Sequence, residues 1–207
     1  MKKLLFPLFM LAMIVTSCEK DPDMNKLDSD YSVYTDYDNS VHFNEFSTYY
    51  LPDSILVPDN SLKANYWKDE NAQNIISAVA HEMEQKGYVR TEDKEKANVG
   101  IQLSYAQQRI QMTTGGWYGG WWDAGFWGPY WGGGWYYPYP VSYSYQTGNI
   151  VLEMVDLREA ESDSNRLPVI WLASSEGLTY GNSHTDVMLI QRAIQQSFEQ
   201  SSYINRK

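Results

Sequence analysis

Cysteine is almost absent from this chain: Cys18 is the single thiol among 207 residues. One thiol cannot form a disulfide within a chain, so a hydrophobic core must hold the fold. Long apolar runs are also missing. The most apolar stretch, residues 4–15, has about twelve residues, whereas a helix needs roughly twenty to cross a bilayer. These two absences exclude a disulfide-stapled fold and a helical membrane span.

Positive charge is scarce as well. The chain has 16 Lys and Arg residues against 26 Asp and Glu residues, a net charge of −10. Nucleic-acid binding requires a basic patch, and an anionic lipid surface attracts basic rather than acidic proteins. We therefore expect no nucleic-acid partner, and we expect membrane attachment to depend on a lipid rather than on charge.

Motifs for catalysis are missing too. His81 and Glu82 begin a helix pattern like that of zinc proteases, but Gln85 stands where the second histidine ligand belongs. The sequence has no Gly-x-Ser-x-Gly motif and no second cysteine, and its glycine-rich stretch lacks the Lys-Ser/Thr ending of a phosphate-binding loop. We predict a non-enzymatic protein with no catalytic residues, metal or cofactor.

The N-terminus has the pattern of an exported lipoprotein. Lys2 and Lys3 precede the apolar stretch, and residues 15–18 read Val-Thr-Ser-Cys, which resembles the bacterial lipobox. This predicts a signal peptide over residues 1–17 and acylation of Cys18, with palmitate as one acyl chain. Each buried CH₂ adds about 0.8 kcal/mol of membrane affinity. Cleavage would leave a net charge of −12.

The predicted location is the cell envelope of a Gram-negative bacterium, with the lipid in the outer membrane. The domain could lie on either the periplasmic or the surface side of that membrane. Residues 18–30 are acidic and polar and predict a tether. They could act as a signal for export to the outer face or as an ordinary solvated linker. Residues 31–207 are expected to form a single α+β domain.

The hydrophobic pattern of this domain alternates between strand and helix periods. Asp69 is expected to cap the first helix and Gly87 to end it, whereas Ser183 opens the last helix. The predicted fold is a two-layer α+β sandwich, a mainly antiparallel sheet of about five strands with two helices on one face. The expected strands cover residues 31–37, 46–51, 99–105, 143–157 and 167–178, and the first helix covers 69–86.

Several short motifs, in order, resemble a family of bacterial lipoproteins known as domain of unknown function 4136. They are Asp36-Tyr37-Asp38, Val41-His42-Phe43, Thr48-Tyr49-Tyr50, Gly87-Tyr88, Ala97-Asn98-Val99, Gly148 to Asp156, and Ile170-Trp171. Asn98 departs from the family, in which Asp is common, and so does Leu172, where a polar residue often follows the tryptophan. The resemblance implies an α+β fold and an envelope location, and it implies no activity or functional residues.

Residues 115–140, here called the aromatic segment, have an unusual composition. The 26 residues include nine Gly, six Trp, five Tyr, one Phe and three Pro, with no helical or strand period. A long loop of this kind is uncommon unless it is functional or disordered. The candidate binding residues are Trp117, Trp121, Trp122, Phe126, Trp127, Tyr130, Trp131, Trp135, Tyr136 and Tyr137.

Three interpretations of the aromatic segment remain open. Its rings could bind an envelope protein or stack on a glycan. They could rest at the membrane–water boundary, which tryptophan and tyrosine favour. They could instead fold over the sheet and form a small core of their own. The leading hypothesis is a lipid-anchored envelope protein that binds a protein or glycan through this segment, and the alternative is a structural domain whose segment packs on the sheet or on the membrane.

Overall fold

The computed structural model describes residues 31–57, 65–106, 110–113, 127, 134–140, 142–145, 148–158, 166–178 and 183–206. The predicted signal peptide (1–17), Cys18 and the tether (18–30) lie outside the described residues. Among the described residues, no helix is long and apolar enough to span a membrane.

The described chain contains two helices and eleven strands. The helices are α1 (Glu70–Gln85) and α2 (Ser183–Gln200), and short 3-10 turns cover Phe43–Glu45 and Lys94–Lys96. The strands are β1 (Ser32–Tyr37), β2 (Thr48–Tyr50), β3 (Ile55–Val57), β4 (Asn65–Trp67), β5 (Val89–Arg90), β6 (Val99–Ala106), β7 (Ile110–Thr113), β8 (Trp135–Tyr136), β9 (Ser142–Tyr145), β10 (Asn149–Asp156) and β11 (Leu167–Glu176).

Nine of these strands form one mixed sheet. Its main order is β1-β11-β10-β6-β2-β5, with β3 between β6 and β4, and with β8 added beside β11. Strands β1, β11, β10 and β6 pair antiparallel, as do β3 and β4, whereas β2 pairs in parallel with β5 and β6. The pairs β3–β6 and β8–β11 are also parallel, and β7 and β9 form a separate antiparallel pair.

The α+β class is confirmed, but the prediction of a mainly antiparallel sheet of about five strands is wrong. Strands of two or three residues such as β3, β4, β5 and β8 are too short to show an alternating pattern, and tertiary pairing decides them. The single strand predicted over 143–157 is also wrong at its start, because β9 ends at Tyr145 and pairs with β7, whereas β10 begins at Asn149.

Helix α1 begins and ends as its sequence predicts. The Asp69 carboxylate accepts a hydrogen bond from the backbone N–H of Ala72 (3.0 Å), which satisfies one of the free donors of the first turn. At the other end Gly87 has a φ of 93°, a left-handed conformation that glycine adopts without steric cost. The Tyr88 N–H then bonds to the carbonyl of Met83 (3.0 Å), which closes the helix.

The main core lies between the helices and one face of the sheet. Helix α1 contributes Ile75, Val79 and Met83, which are one turn apart and fully buried. Strand β11 contributes Trp171, whose indole N–H donates to Ser201 Oγ (2.9 Å) and whose ring lies 5.2 Å from that of Phe198 in α2. Both helices therefore cover the same face of the sheet.

Asn98 joins β2 to β6 at the edge of this core. Its side-chain oxygen accepts hydrogen bonds from the Ser47 N–H (2.8 Å), the Ser47 hydroxyl (2.9 Å) and the Thr48 N–H (3.2 Å). Its own N–H donates to the backbone carbonyl of Thr48 (3.1 Å). An acceptor oxygen is what this position requires, because the donors of two adjacent residues point at it.

Candidate functional site

The second face of the sheet carries polar groups in its centre. Side chains alternate along a strand, so residues between the core positions of β6 and β10 point to the other side. Gln102 and Glu153 are directly opposite each other in the β6–β10 register, and Ser104 follows on the same side. All three are buried, with relative exposures of 0%, 0% and 1%. This face therefore needs a cover that offers hydrogen-bond partners.

Trp127 supplies part of that cover. Its ring is fully buried and lies directly over Gly100, where an added Cβ would overlap the ring carbons of the tryptophan. Its indole N–H donates to Gln102 Oε1 (2.9 Å), and the Gln102 amide N–H donates in turn to Ser104 Oγ (3.3 Å). Gly100 thus provides the space and Gln102 the acceptor that seat this one aromatic ring.

Trp135 supplies a second part of the cover. It lies on β8, which pairs in parallel with the start of β11 through the register Trp135–Leu167. Its ring is 5.5 Å from that of Trp127 in an edge-on arrangement, and it is 2% exposed. With Val155, Leu167 and Val169 the two tryptophans form a second hydrophobic cluster, separate from the main core.

Glu153 is a buried carboxylate beneath the aromatic segment. The Tyr137 hydroxyl donates a hydrogen bond to Glu153 Oε1. Neighbouring Tyr136 is half-buried, and the Arg166 guanidinium lies 5.2 Å from its ring centroid. Tyr50 meets the Trp127 ring edge-on at 5.8 Å. Burial, followed by the nearby Asp53 and Glu92 carboxylates, raises the pKa of Tyr50 above its ordinary value.

Residues 33–201 match the family described as Domain of unknown function (DUF4136). This chain belongs to the DUF4136 family. The crystal structure of a DUF4136 family protein from Bacteroides thetaiotaomicron is 40% identical and superposes with a TM-score of 0.73, over 86% of this chain and 99% of that one. No curated protein matches the chain.

The DUF4136 domain has its predicted binding residues in different environments. Trp127 and Trp135 are buried against the sheet, so their faces contact the protein itself, and Tyr136 and Tyr137 are half-buried beside them. Residues 135–136 form a strand, although the segment shows no strand period in the sequence. The remaining candidates lie outside the described residues, namely Trp117, Trp121, Trp122, Phe126, Tyr130 and Trp131.

Sequence reasoning missed Gln102 and Glu153, because a polar residue that alternates with apolar ones normally marks a solvent-facing side. The one available signal was the aromatic segment, which carries enough indole N–H and phenol O–H groups to cover polar residues. Asp156, three residues further along β10, forms a salt bridge with Arg158 (3.0 Å).

On this face of the DUF4136 domain, buried polar side chains of β6 and β10 bond to aromatic side chains above them. Gln102 accepts from the Trp127 indole and donates to Ser104, and Glu153 accepts from the Tyr137 hydroxyl. Among the described ranges, no group of three or more His, Cys, Asp or Glu side chains is arranged to hold a metal ion. The arrangement can position the aromatic segment on the sheet.

Proposed function

We propose that this DUF4136 chain is a non-enzymatic, lipid-anchored protein of the bacterial cell envelope that binds an envelope protein or glycan through its aromatic segment. The observation that carries the proposal is the seating of Trp127 and Trp135 in the sheet face. These two buried anchors, eight positions apart in the chain, fix residues 127 and 135 to the domain, and the partner would contact other rings of the segment.

Anchoring of this kind favours binding for an energetic reason. A loop that is free in solution loses conformational entropy when a partner orders it, and a loop already held to its domain loses less. Trp127 is held by the fit over Gly100 and by its bond to Gln102, and Tyr137 is held by Glu153. Tyr136 sits beside them, half-buried, with Arg166 near its ring. Aromatic and arginine side chains are the groups that most often dominate binding energy.

The lipid anchor rests on the sequence of residues 15–18 and on the reach of the tether. Residues 18–30 are thirteen residues long and could extend roughly 45 Å between an acylated Cys18 and β1. That length lets an acidic domain stand clear of an anionic lipid surface. We propose that the lipid lies in the outer membrane of a Gram-negative cell, with the domain on either its periplasmic or its surface side.

A second candidate is a purely structural role for the aromatic segment. The burial of Trp127 and Trp135 favours it, because these rings close the polar face of the sheet. The two functions differ in the role of the residues of the segment other than Trp127 and Trp135. A structural cover loses stability wherever it is cut, whereas a binding segment loses partner contact when the residues outside the anchors are removed.

A deletion separates the two. We would remove residues 116–125 from the full-length acylated protein, which keeps Trp127, Trp135 and Tyr137. A binding role predicts an unchanged melting temperature and loss of crosslinking in intact cells. A fall in melting temperature as large as that of Trp127→Ala would contradict it and favour the cover.

The crosslinking readout uses a photoreactive phenylalanine analogue in place of Tyr136. The matched control places the same analogue at Tyr34, a 45% exposed tyrosine on β1. We expect a defined envelope protein or glycan adduct at position 136 and none at position 34. Equal labelling at both positions, or none at either, would count against the aromatic segment as the binding surface.

The lipid anchor has its own test. Cys18→Ala should abolish acylation and release the protein into the soluble fraction. Ser17→Ala, which brings the sequence closer to the usual lipobox, is the control and should stay in the membrane fraction. Retention of Cys18→Ala in the membrane would overturn the anchor.

A further inference from the structure

A cleft of about 510 Å³ opens on the helix-covered side of the sheet, between the paired strands β3 and β4 and the start of α2. Its volume falls within the range of roughly 300–1,000 Å³ that is usual for small-molecule sites. Three aromatic and three polar side chains line it together with aliphatic groups from β3 and α2. They are Tyr66, Trp67, Tyr105, Asn65, Asn71 and Asp186. Trp127 covers the opposite face of the sheet, so the cleft is separate from the aromatic segment.

The aromatic wall of the cleft is held in place. The Trp67 indole N–H donates to the Asp69 carboxylate (2.6 Å), and Asp69 also caps α1. The Trp67 ring lies 5.5 Å from that of Tyr105 on β6. The orientation of this indole is therefore coupled to the helix start and to the sheet. Tyr66, the neighbouring residue, is 37% exposed at the cleft.

The polar wall has the chemistry of hydroxyl recognition. An asparagine amide both donates and accepts hydrogen bonds, as a sugar hydroxyl does, and a carboxylate accepts from hydroxyls. Asn65, Asn71 and Asp186 place these groups around the rings. No lysine or arginine is among the described lining residues, and the Lys68 ammonium lies over the Tyr66 ring, 5.4 Å from its centroid. Asp186, the one charged residue among the described lining residues, is acidic, which disfavours phosphate, sulfate or carboxylate ligands.

We infer that this cleft binds a neutral saccharide unit. One face of the sugar would stack its C–H groups on the aromatic wall, and its hydroxyls would bond to Asn65, Asn71 and Asp186. The inference does not rest on the proposed function of the aromatic segment, since either surface can be inactivated without the other.

The test is isothermal titration calorimetry on the full-length protein. The probes are two neutral trisaccharides, maltotriose and chitotriose, with trigalacturonic acid as an anionic probe and the peptide Lys-Trp-Lys as a basic aromatic one. We expect saturable binding of at least one neutral trisaccharide and weaker or no binding of the other two probes. Tyr66→Ala and Asn71→Ala should each weaken that binding by about tenfold, the size of one lost stacking or hydrogen-bond contact.

Tyr34→Ala is the matched control, because Tyr34 is also an exposed tyrosine but lies on β1, outside the cleft. It should leave saccharide binding unchanged. Both cleft variants alter partly exposed side chains, and circular dichroism would verify that they fold. The inference is overturned if neither neutral trisaccharide binds at millimolar concentration, if trigalacturonic acid or the peptide binds as well as they do, or if the cleft variants bind like the wild type.

Discussion

The two faces of the sheet are covered by different means, although the same strands supply both. On the helix side, 28 buried residues among those described form a continuous apolar core. On the other side, five of the described hydrophobic residues form a smaller buried cluster, and the buried side chains of Gln102 and Glu153 bond to the N–H and O–H groups of aromatic side chains. An amphipathic helix suits an apolar face, whereas a polar face requires a cover that can form hydrogen bonds.

The comparison predicts that the helix side carries most of the stability. Trp171→Ala would leave a large cavity between β11 and α2 and leave Ser201 without the indole donor. We expect the free energy of unfolding to fall by about 3–5 kcal/mol, measured by urea denaturation. Val89→Ala, at a 58% exposed position on β5, is the control and should change it by less than about 0.5 kcal/mol. A loss below about 1 kcal/mol for Trp171→Ala would break the comparison.

The aromatic side should respond to a change that adds one methyl group. Gly100→Ala places a Cβ against the Trp127 ring and should displace it, at a cost of about 1–3 kcal/mol. Tryptophan emission should shift to the red as the ring leaves its site.

A double-mutant cycle identifies the cause of that loss. In a Trp127→Ala background the added methyl group meets no ring, so Gly100→Ala should have little further effect. Additive losses in the double variant would mean that Gly100 is needed for another reason, and the account of this face would then be wrong.

Substitutions of Asn98 test the junction between β2 and β6, two strands that contribute to both faces of the sheet. Asn98→Ala leaves the Ser47 and Thr48 donors without their acceptor and should cost about 1–3 kcal/mol. Asn98→Asp keeps the acceptor oxygen and should be close to the wild type in urea denaturation. If the aspartate variant were as unstable as the alanine variant, the donor set would not explain this position.

The smallest expected effect is a change in the pH dependence of stability, and it involves a residue on the helix side of the sheet. Burial raises the pKa of Tyr88 to about 12, and its hydroxyl donates to the carbonyl of Phe43 (2.8 Å). The unfolded phenol ionises near pH 10, so this stabilisation is complete below pH 10 and is lost as the pH rises toward 12.

Tyr88→Phe should therefore cost about 1 kcal/mol at pH 8 and reduce the fall in stability above pH 10. Some alkaline dependence should remain, because burial also raises the pKa of Tyr49 to about 12. Urea denaturation at pH 8, 10 and 11 measures both quantities. An identical alkaline slope in the two proteins would show that Tyr88 does not contribute to it.

Prediction from sequence worked where one face of an element meets a large core. The period of Ile75, Val79 and Met83 and the caps at Asp69 and Gly87 identified α1, and clean alternation identified β6. The pattern could not reveal β3, β4 and β5, because a strand of three residues or fewer carries no period. These short strands form only by pairing with neighbouring strands. The same limit hid β8 inside the aromatic segment.

The sequence by itself determined the α+β class, the bounds of α1 and the family, because these depend on local periodicity, capping residues and the order of short motifs. Only the tertiary structure decided that the sheet is mixed and has nine strands, and that Trp127 lies over Gly100 with its N–H on Gln102. Those features join residues far apart in the chain, where space and hydrogen-bond partners exist only after the strands have paired.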